Sequence, residues 1–87
     1  MISFGLDVSK GYSNVGILDD SRNLLLEVFQ VDDTKNGHDI LENKIAWALK
    51  LTGGNILRIG VESTGGYEKN FLNMFLRLKD KYPLEVY

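Results

Sequence analysis

Apolar residues at Ile2, Phe4, Leu6 and Val8 alternate with Ser3, Gly5 and Asp7. A period of two over seven residues predicts a strand with one apolar face. Lys10-Gly11-Tyr12-Ser13-Asn14 reads as a tight connection, and residues 15–18 as a second apolar run stopped by Asp19-Asp20-Ser21-Arg22-Asn23, which is turn chemistry. Residues 24–31, rich in Leu, Val and Phe, predict a third strand. Short connections between successive strands favour an antiparallel meander.

After residue 31 the period changes. Asp32-Asp33-Thr34-Lys35-Asn36-Gly37 reads as a polar loop, and from His38 onward Ile40, Leu41, Ile45, Ala48 and Leu49 mark one face of a helix over 38–51. Thr52-Gly53-Gly54 ends it, with a glycine for the left-handed position after the last turn. Residues 56–61 predict a fourth strand, whose near-continuous apolar content suits cover on both faces. Glu62-Ser63-Thr64-Gly65-Gly66 reads as a loop. A second helix follows over 67–81, with Phe71, Leu72, Phe75, Leu78 and Tyr82 on one side and Lys69, Asn73 and Arg77 on another. Pro83 closes it, and residues 84–87 begin a fifth extended run. The order β-β-β-α-β-α-β predicts an α/β domain with a mixed five-stranded sheet, strands ordered 3-2-1-4-5, and two helices. Right-handed crossovers set strand 4 parallel to strand 1. A chain that stops on an apolar strand reads as part of a domain, and the uncovered edge around Leu84 and Val86 favours a homo-oligomer.

With 87 residues, 44% hydrophobic and 25% charged, the chain suits one small globular domain rather than a disordered or low-complexity one. The absence of cysteine excludes disulfides, thiolate zinc sites and a cysteine nucleophile. No apolar run approaches the roughly 20 residues that span a bilayer, and the opening residues lack the basic start of a secretory signal. The expectation is a cytoplasmic protein with no membrane partner. A net charge of −2 argues against a protein that coats nucleic acid. Its distribution is uneven: residues 1–43 hold eight acids and three bases, residues 44–87 four acids and seven bases. A basic half can meet phosphate while an acidic half holds metal.

Asp7 and Glu62 each follow an apolar strand and precede a turn of small residues. In a 3-2-1-4-5 sheet their strands are neighbours, about 4.8 Å apart, and both carboxylates emerge at one edge. Hard oxygen ligands of this kind suit Mg²⁺ or Mn²⁺; alternatively, Asp7 closes a turn and Glu62 caps the next helix. Gly60 and Gly65 match the first two glycines of a phosphate loop, but Gly66 stands where that motif needs lysine. His38 is the only histidine, which leaves no partner for a zinc site or a histidine-based triad. Trp47 and Tyr12 read as packing residues, and Lys69 and Arg77 as a solvated helix face open to a phosphate contact.

Gly5-Leu6-Asp7-Val8-Ser9-Lys10 and Val61-Glu62-Ser63-Thr64-Gly65-Gly66-Tyr67-Glu68 resemble the two N-terminal signatures of the DEDD insertion-sequence transposases, the family related to the pilin-gene invertase Piv. Asn36-Gly37, read as a loop before the first helix, fits the same pattern, and the resemblance covers essentially all 87 residues. It implies the N-terminal part of a ribonuclease-H-like, RuvC-like catalytic domain. Asp7 and Glu62 match the first two acids of the DEDD set, which implies catalytic, metal-ligating roles. The family's other two aspartates and the serine of its C-terminal domain have no match here. The implied substrate is DNA, cleaved and joined in transposition, and similar transposases work with a guide RNA. Lys10, Thr64 and Lys69 are the candidate nucleic-acid contacts. With two of four ligands, the chain alone is expected to bind metal weakly and to cleave nothing. The other reading is part of an actin-like or sugar-kinase ATPase domain, with Gly5-Leu6-Asp7-Val8-Ser9 beside nucleotide phosphates; Lys10-Gly11 is a poorer match to that loop.

Overall fold

The computed structural model describes residues 1–63 and 65–87. The elements are β1 (Ser3–Ser9), β2 (Tyr12–Leu18), β3 (Phe29–Asp32), α1 (Lys35–Thr52), β4 (Leu57–Ser63), α2 (Lys69–Leu78) and β5 (Leu84–Val86). They form one mixed five-stranded sheet in the order β3-β2-β1-β4-β5. β1 pairs antiparallel with β2, and β2 with β3, while β4 runs parallel to β1 and β5 parallel to β4. Strand order and directions are those expected from the sequence.

The topology explains why one face of the sheet is covered and the other open. α1 joins β3 to β4 and α2 joins β4 to β5. Both crossovers link parallel strands and advance across the sheet in the same direction. Crossovers of one hand then place both helices on the same face. Phe4, Leu6 and Val8 of β1, Val15 and Ile17 of β2, and Leu57 and Ile59 of β4 are buried there against Leu41, Ile45 and Ala48 of α1 and Phe71, Met74 and Phe75 of α2. The residues between them, Gly5 and Asp7 on β1 and Arg58 and Glu62 on β4, are exposed on the opposite face. β4 is therefore covered on one face, not on both as its apolar run suggests. Its open-face positions carry Arg58, Gly60 and Glu62.

The third strand is shorter than the apolar run predicts. Leu24 makes only an isolated bridge to Leu18, and Leu25 N–H donates to Ile17 O at 2.8 Å before the chain bends. Leu25 and Leu26 both pack against the core. Adjacent residues of a strand point to opposite faces, so two consecutive leucines can both turn inward only where the strand is broken.

α1 begins three residues earlier than predicted, and Asn36 and Gly37 lie in its first turn rather than in a loop. Thr34 is the N-cap, its hydroxyl accepting from Gly37 N–H at 3.1 Å. Gly37 is set by packing: a Cβ there would lie 1.9 Å from Asp32 O. α2 is shorter than the period suggests. Gly65 and Gly66, with φ of 88° and 78°, turn the chain before it, and it unwinds after Leu78 into turns that carry Tyr82 to Pro83. Glu42 of α1 accepts from Lys81 Nζ and Tyr82 Oη, both at 2.9 Å, which ties that exit to the first helix.

β3 and β5 are the edge strands. Leu84 is buried and Val86 packs against the core, so the apolar side chains at the β5 edge are turned inward rather than left uncovered. Among the described residues no helix is long and apolar enough to cross a membrane.

Candidate functional site

Asp7 lies in β1 with Leu6 and Val8 on either side, both buried. Alternation therefore turns its carboxylate to the open face. Glu62 lies in β4, not in the loop where the sequence reading placed it, and it too is exposed. The parallel register pairs Asp7 directly with Glu62. Directly paired residues share a face, so the two carboxylates stand side by side, one strand spacing of about 4.8 Å apart at the backbone.

The register carries the row further. Asn14 of β2 pairs with Asp7, and Gln30 of β3 pairs with Asn14. Four adjacent strands thus present Gln30, Asn14, Asp7 and Glu62 in one polar line across the open face. The second apolar run starts at residue 15, which leaves Asn14 in the predicted connection; Gln30 lies within the predicted third strand and joins the row only through its pairing with Asn14. Continuing the alternation of the second run back to Tyr12 would have set Asn14 opposite Asp7. The next row along the strands is Gly16, Gly5 and Gly60. Beside Gly60 runs Tyr87, whose N–H donates to Ile59 O at 2.8 Å. Gly5, Leu6, Asp7, Gly60, Val61, Glu62 and Tyr87 line an open cavity of about 480 Å³. Gly5 and Gly60 bring no side chains to it, and the acidic pair lies along its lining.

Two anchors hold the backbone at the acids. The Ser13 side chain is fully buried, and its hydroxyl reaches the carbonyl oxygens of Asp7 and Asn14 at 3.2 and 3.0 Å. On β4, Ser63 Oγ accepts from Tyr67 N–H at 3.0 Å, next to Glu62. None of the four ion pairs among the described residues involves Asp7 or Glu62. Two like charges 4 Å apart in water repel by about 1 kcal/mol, so a cation between the two carboxylates would relieve repulsion as well as gain attraction. Among the described residues no three His, Asp or Glu side chains gather into a metal-holding group. Two carboxylates can supply part of the shell of a hard divalent ion, with water completing it.

Lys10 is exposed in the β1–β2 turn, and Lys69 is the exposed first residue of α2. Both belong to connections that leave the end of the sheet nearest the acids. Thr64 lies outside the described residues. Arg77 is on the solvated side of α2, and Trp47 and Tyr12 are half-buried. His38 is not isolated, as its position in the sequence suggested: Nε2 lies 2.8 Å from Asp33 Oδ1, and the ring packs on Phe71 with centroids 5.0 Å apart.

A scan of protein-family models finds none that matches this chain, and a search of curated proteins finds no match either.

Proposed function

We propose that this chain forms part of the catalytic domain of a metal-dependent DNA strand transferase, a DEDD transposase of ribonuclease-H-like fold, with Asp7 and Glu62 as two of its metal ligands. The observation that carries the reading is the register Asp7↔Glu62 on adjacent parallel strands, on the face that no helix covers. The motifs around each acid resemble the two family signatures, and the sheet order is the one that the resemblance implies.

The donor set fits Mg²⁺ or Mn²⁺: two exposed carboxylates, with no nitrogen or sulfur side-chain donor beside them among the described residues, and room for water. Bound there, the ion would neutralise charge at a phosphodiester oxygen. The chain's own contribution is positional. The glycine row lets a sugar-phosphate backbone come close to the sheet without meeting side chains. Lys10 and Lys69, on the connections at that end, would take neighbouring phosphates and set register along the strand of DNA.

The test is a Mn²⁺ titration of the chain followed by NMR, with wild type and Asp7→Asn side by side. Weak binding that broadens the signals of residues 7 and 62, and is lost in Asp7→Asn, supports the reading. Broadening elsewhere on the surface overturns it. A DNA oligonucleotide and ATP are then compared as ligands. ATP binding at the Gly5–Ser9 segment without DNA binding would turn the assignment to the nucleotide-binding class.

A further inference from the structure

Asp33 lies outside the acidic pair, yet it touches both connections that leave it. Its N–H donates to Gly11 O at 2.9 Å, in the turn between β1 and β2. Its carboxylate has two partners: Oδ1 faces His38 Nε2 of α1 at 2.8 Å, and Oδ2 accepts from Asn70 Nδ2 of α2 at 3.0 Å. The Asp33 and His38 side chains keep only 14% and 18% of their exposure, so water competes poorly for the bond between them, whereas the bond to Asn70 lies at the exposed surface.

The geometry matters because of what each partner follows. Gly11 comes four residues after Asp7, at the tip of the hairpin whose buried Ser13 holds the Asp7 carbonyl. Asn70 is the second residue of α2, which follows Tyr67, whose N–H donates to Ser63 Oγ next to Glu62. Asp33 therefore bridges the exit of β1 to the exit of β4. Among the described residues, α2 buries Phe71, Met74 and Phe75 in the core, on the side of the sheet away from the acids.

We propose that Asp33 is a positioning residue for the Asp7–Glu62 site, holding the β1–β2 turn and the start of α2 at a fixed separation. His38 orients the carboxylate: with Oδ1 turned to the imidazole and the ring seated on Phe71, Oδ2 is left aimed at Asn70. The bond to Asn70 then transmits the position of the hairpin to α2. A ligand shell that spans the two acidic strands depends on both connections staying in place, because each carries a candidate phosphate contact, Lys10 on one side and Lys69 on the other.

Asn70→Ala tests this without disturbing the core, since Asn70 is exposed. Native-state hydrogen exchange is read at two amides: Leu72 N–H, which donates to Glu68 O in the first turn of α2, and Asp33 N–H, which donates to Gly11 O just beyond the end of the β2–β3 ladder. Coupling predicts that both speed up, about tenfold, while amides of the β1–β4 ladder are unchanged. Acceleration confined to Leu72 overturns the proposal, because it would show only a frayed helix. That arm needs no metal. The second arm rests on the reading of Asp7 and Glu62 as cation ligands: Asn70→Ala and Asp33→Asn should weaken Mn²⁺ binding several-fold at unchanged global stability in the first variant. If the wild-type chain binds no Mn²⁺ at residues 7 and 62, that functional reading fails while the exchange result still decides the role of Asp33. If Mn²⁺ binds at the pair and neither variant weakens it, the positioning role fails and the metal site stands.

Discussion

Replacing Gly37 by alanine separates two physical effects that push in opposite directions. Gly37 lies inside α1, where intrinsic propensity alone makes Gly→Ala stabilising by about 1 kcal/mol. In the folded chain the added Cβ would stand 1.9 Å from Asp32 O, 2.8 Å from Asp32 C and 3.0 Å from Asp32 N. The first of these must open by more than about 1 Å before ordinary contact is restored. All three atoms are backbone, so no side chain can swing aside. Asp32 cannot retreat freely, because it ends β3, paired with Tyr12, and the next residue donates to Gly11 O at 2.9 Å.

Overpacking of this kind costs about 1–3 kcal/mol, and loosening the Asp33–Gly11 hydrogen bond adds about 1 kcal/mol. Against the propensity gain, the net expectation is a loss of about 2 kcal/mol. For a domain of this size that lowers Tm by roughly 8–16 °C. Urea and thermal unfolding followed by far-UV circular dichroism and by the half-buried Trp47 measure it. A Tm equal to or above wild type would refute the packing argument and leave propensity as the dominant effect.

Thr34→Ala should cost about 1 kcal/mol by removing the hydroxyl that accepts from Gly37 N–H, and Thr34→Ser should restore most of it in the same unfolding assay. Asp7→Asn should leave stability within about 0.5 kcal/mol of wild type, because the side chain is exposed, while abolishing Mn²⁺ broadening at residue 62 in NMR spectra. Hydrogen bonds from Lys81 and Tyr82 hold the Glu42 carboxyl below its ordinary value of 4.5. A carboxyl depressed on folding stabilises the native state above its unfolded value, and that stability is lost as pH falls below 4.5 and through the folded value. Glu42→Gln should therefore flatten this part of the acid-unfolding curve, and an unchanged slope below pH 4.5 would count against the assignment.

The sheet was legible because its evidence is local and periodic. Alternation marks β1, and the change to a helical period after residue 31 marks the crossovers, from which strand order and direction follow by handedness. The errors fall where a long-range contact overrides a local cue. Gly37 looks like a loop residue, yet it is in the helix because β3 passes too close for any side chain. Residues 24–28 look like strand, yet the core takes Leu25 and Leu26 together and bends the chain. The network of Asp33, His38 and Asn70 joins residues 37 positions apart through single hydrogen bonds, and no periodicity announces such a link.

The two acids of the pair stand 55 positions apart in the chain. Spacing along the chain says nothing about the distance between Asp7 and Glu62; topology and register decide it. A slip of one residue between β1 and β4 would turn the Glu62 side chain toward the helices and drive Leu57 and Ile59 to solvent. Those two side chains are fully buried, so the slip would expose their apolar area. At about 25 cal/mol per Å² that penalty is several kcal/mol, far more than the repulsion of about 1 kcal/mol between two carboxylates in water. Core packing, not any attraction between the acids, thus holds the two carboxylates side by side. A chain can afford such a like-charged pair on an open face only where burial on the opposite face enforces the register.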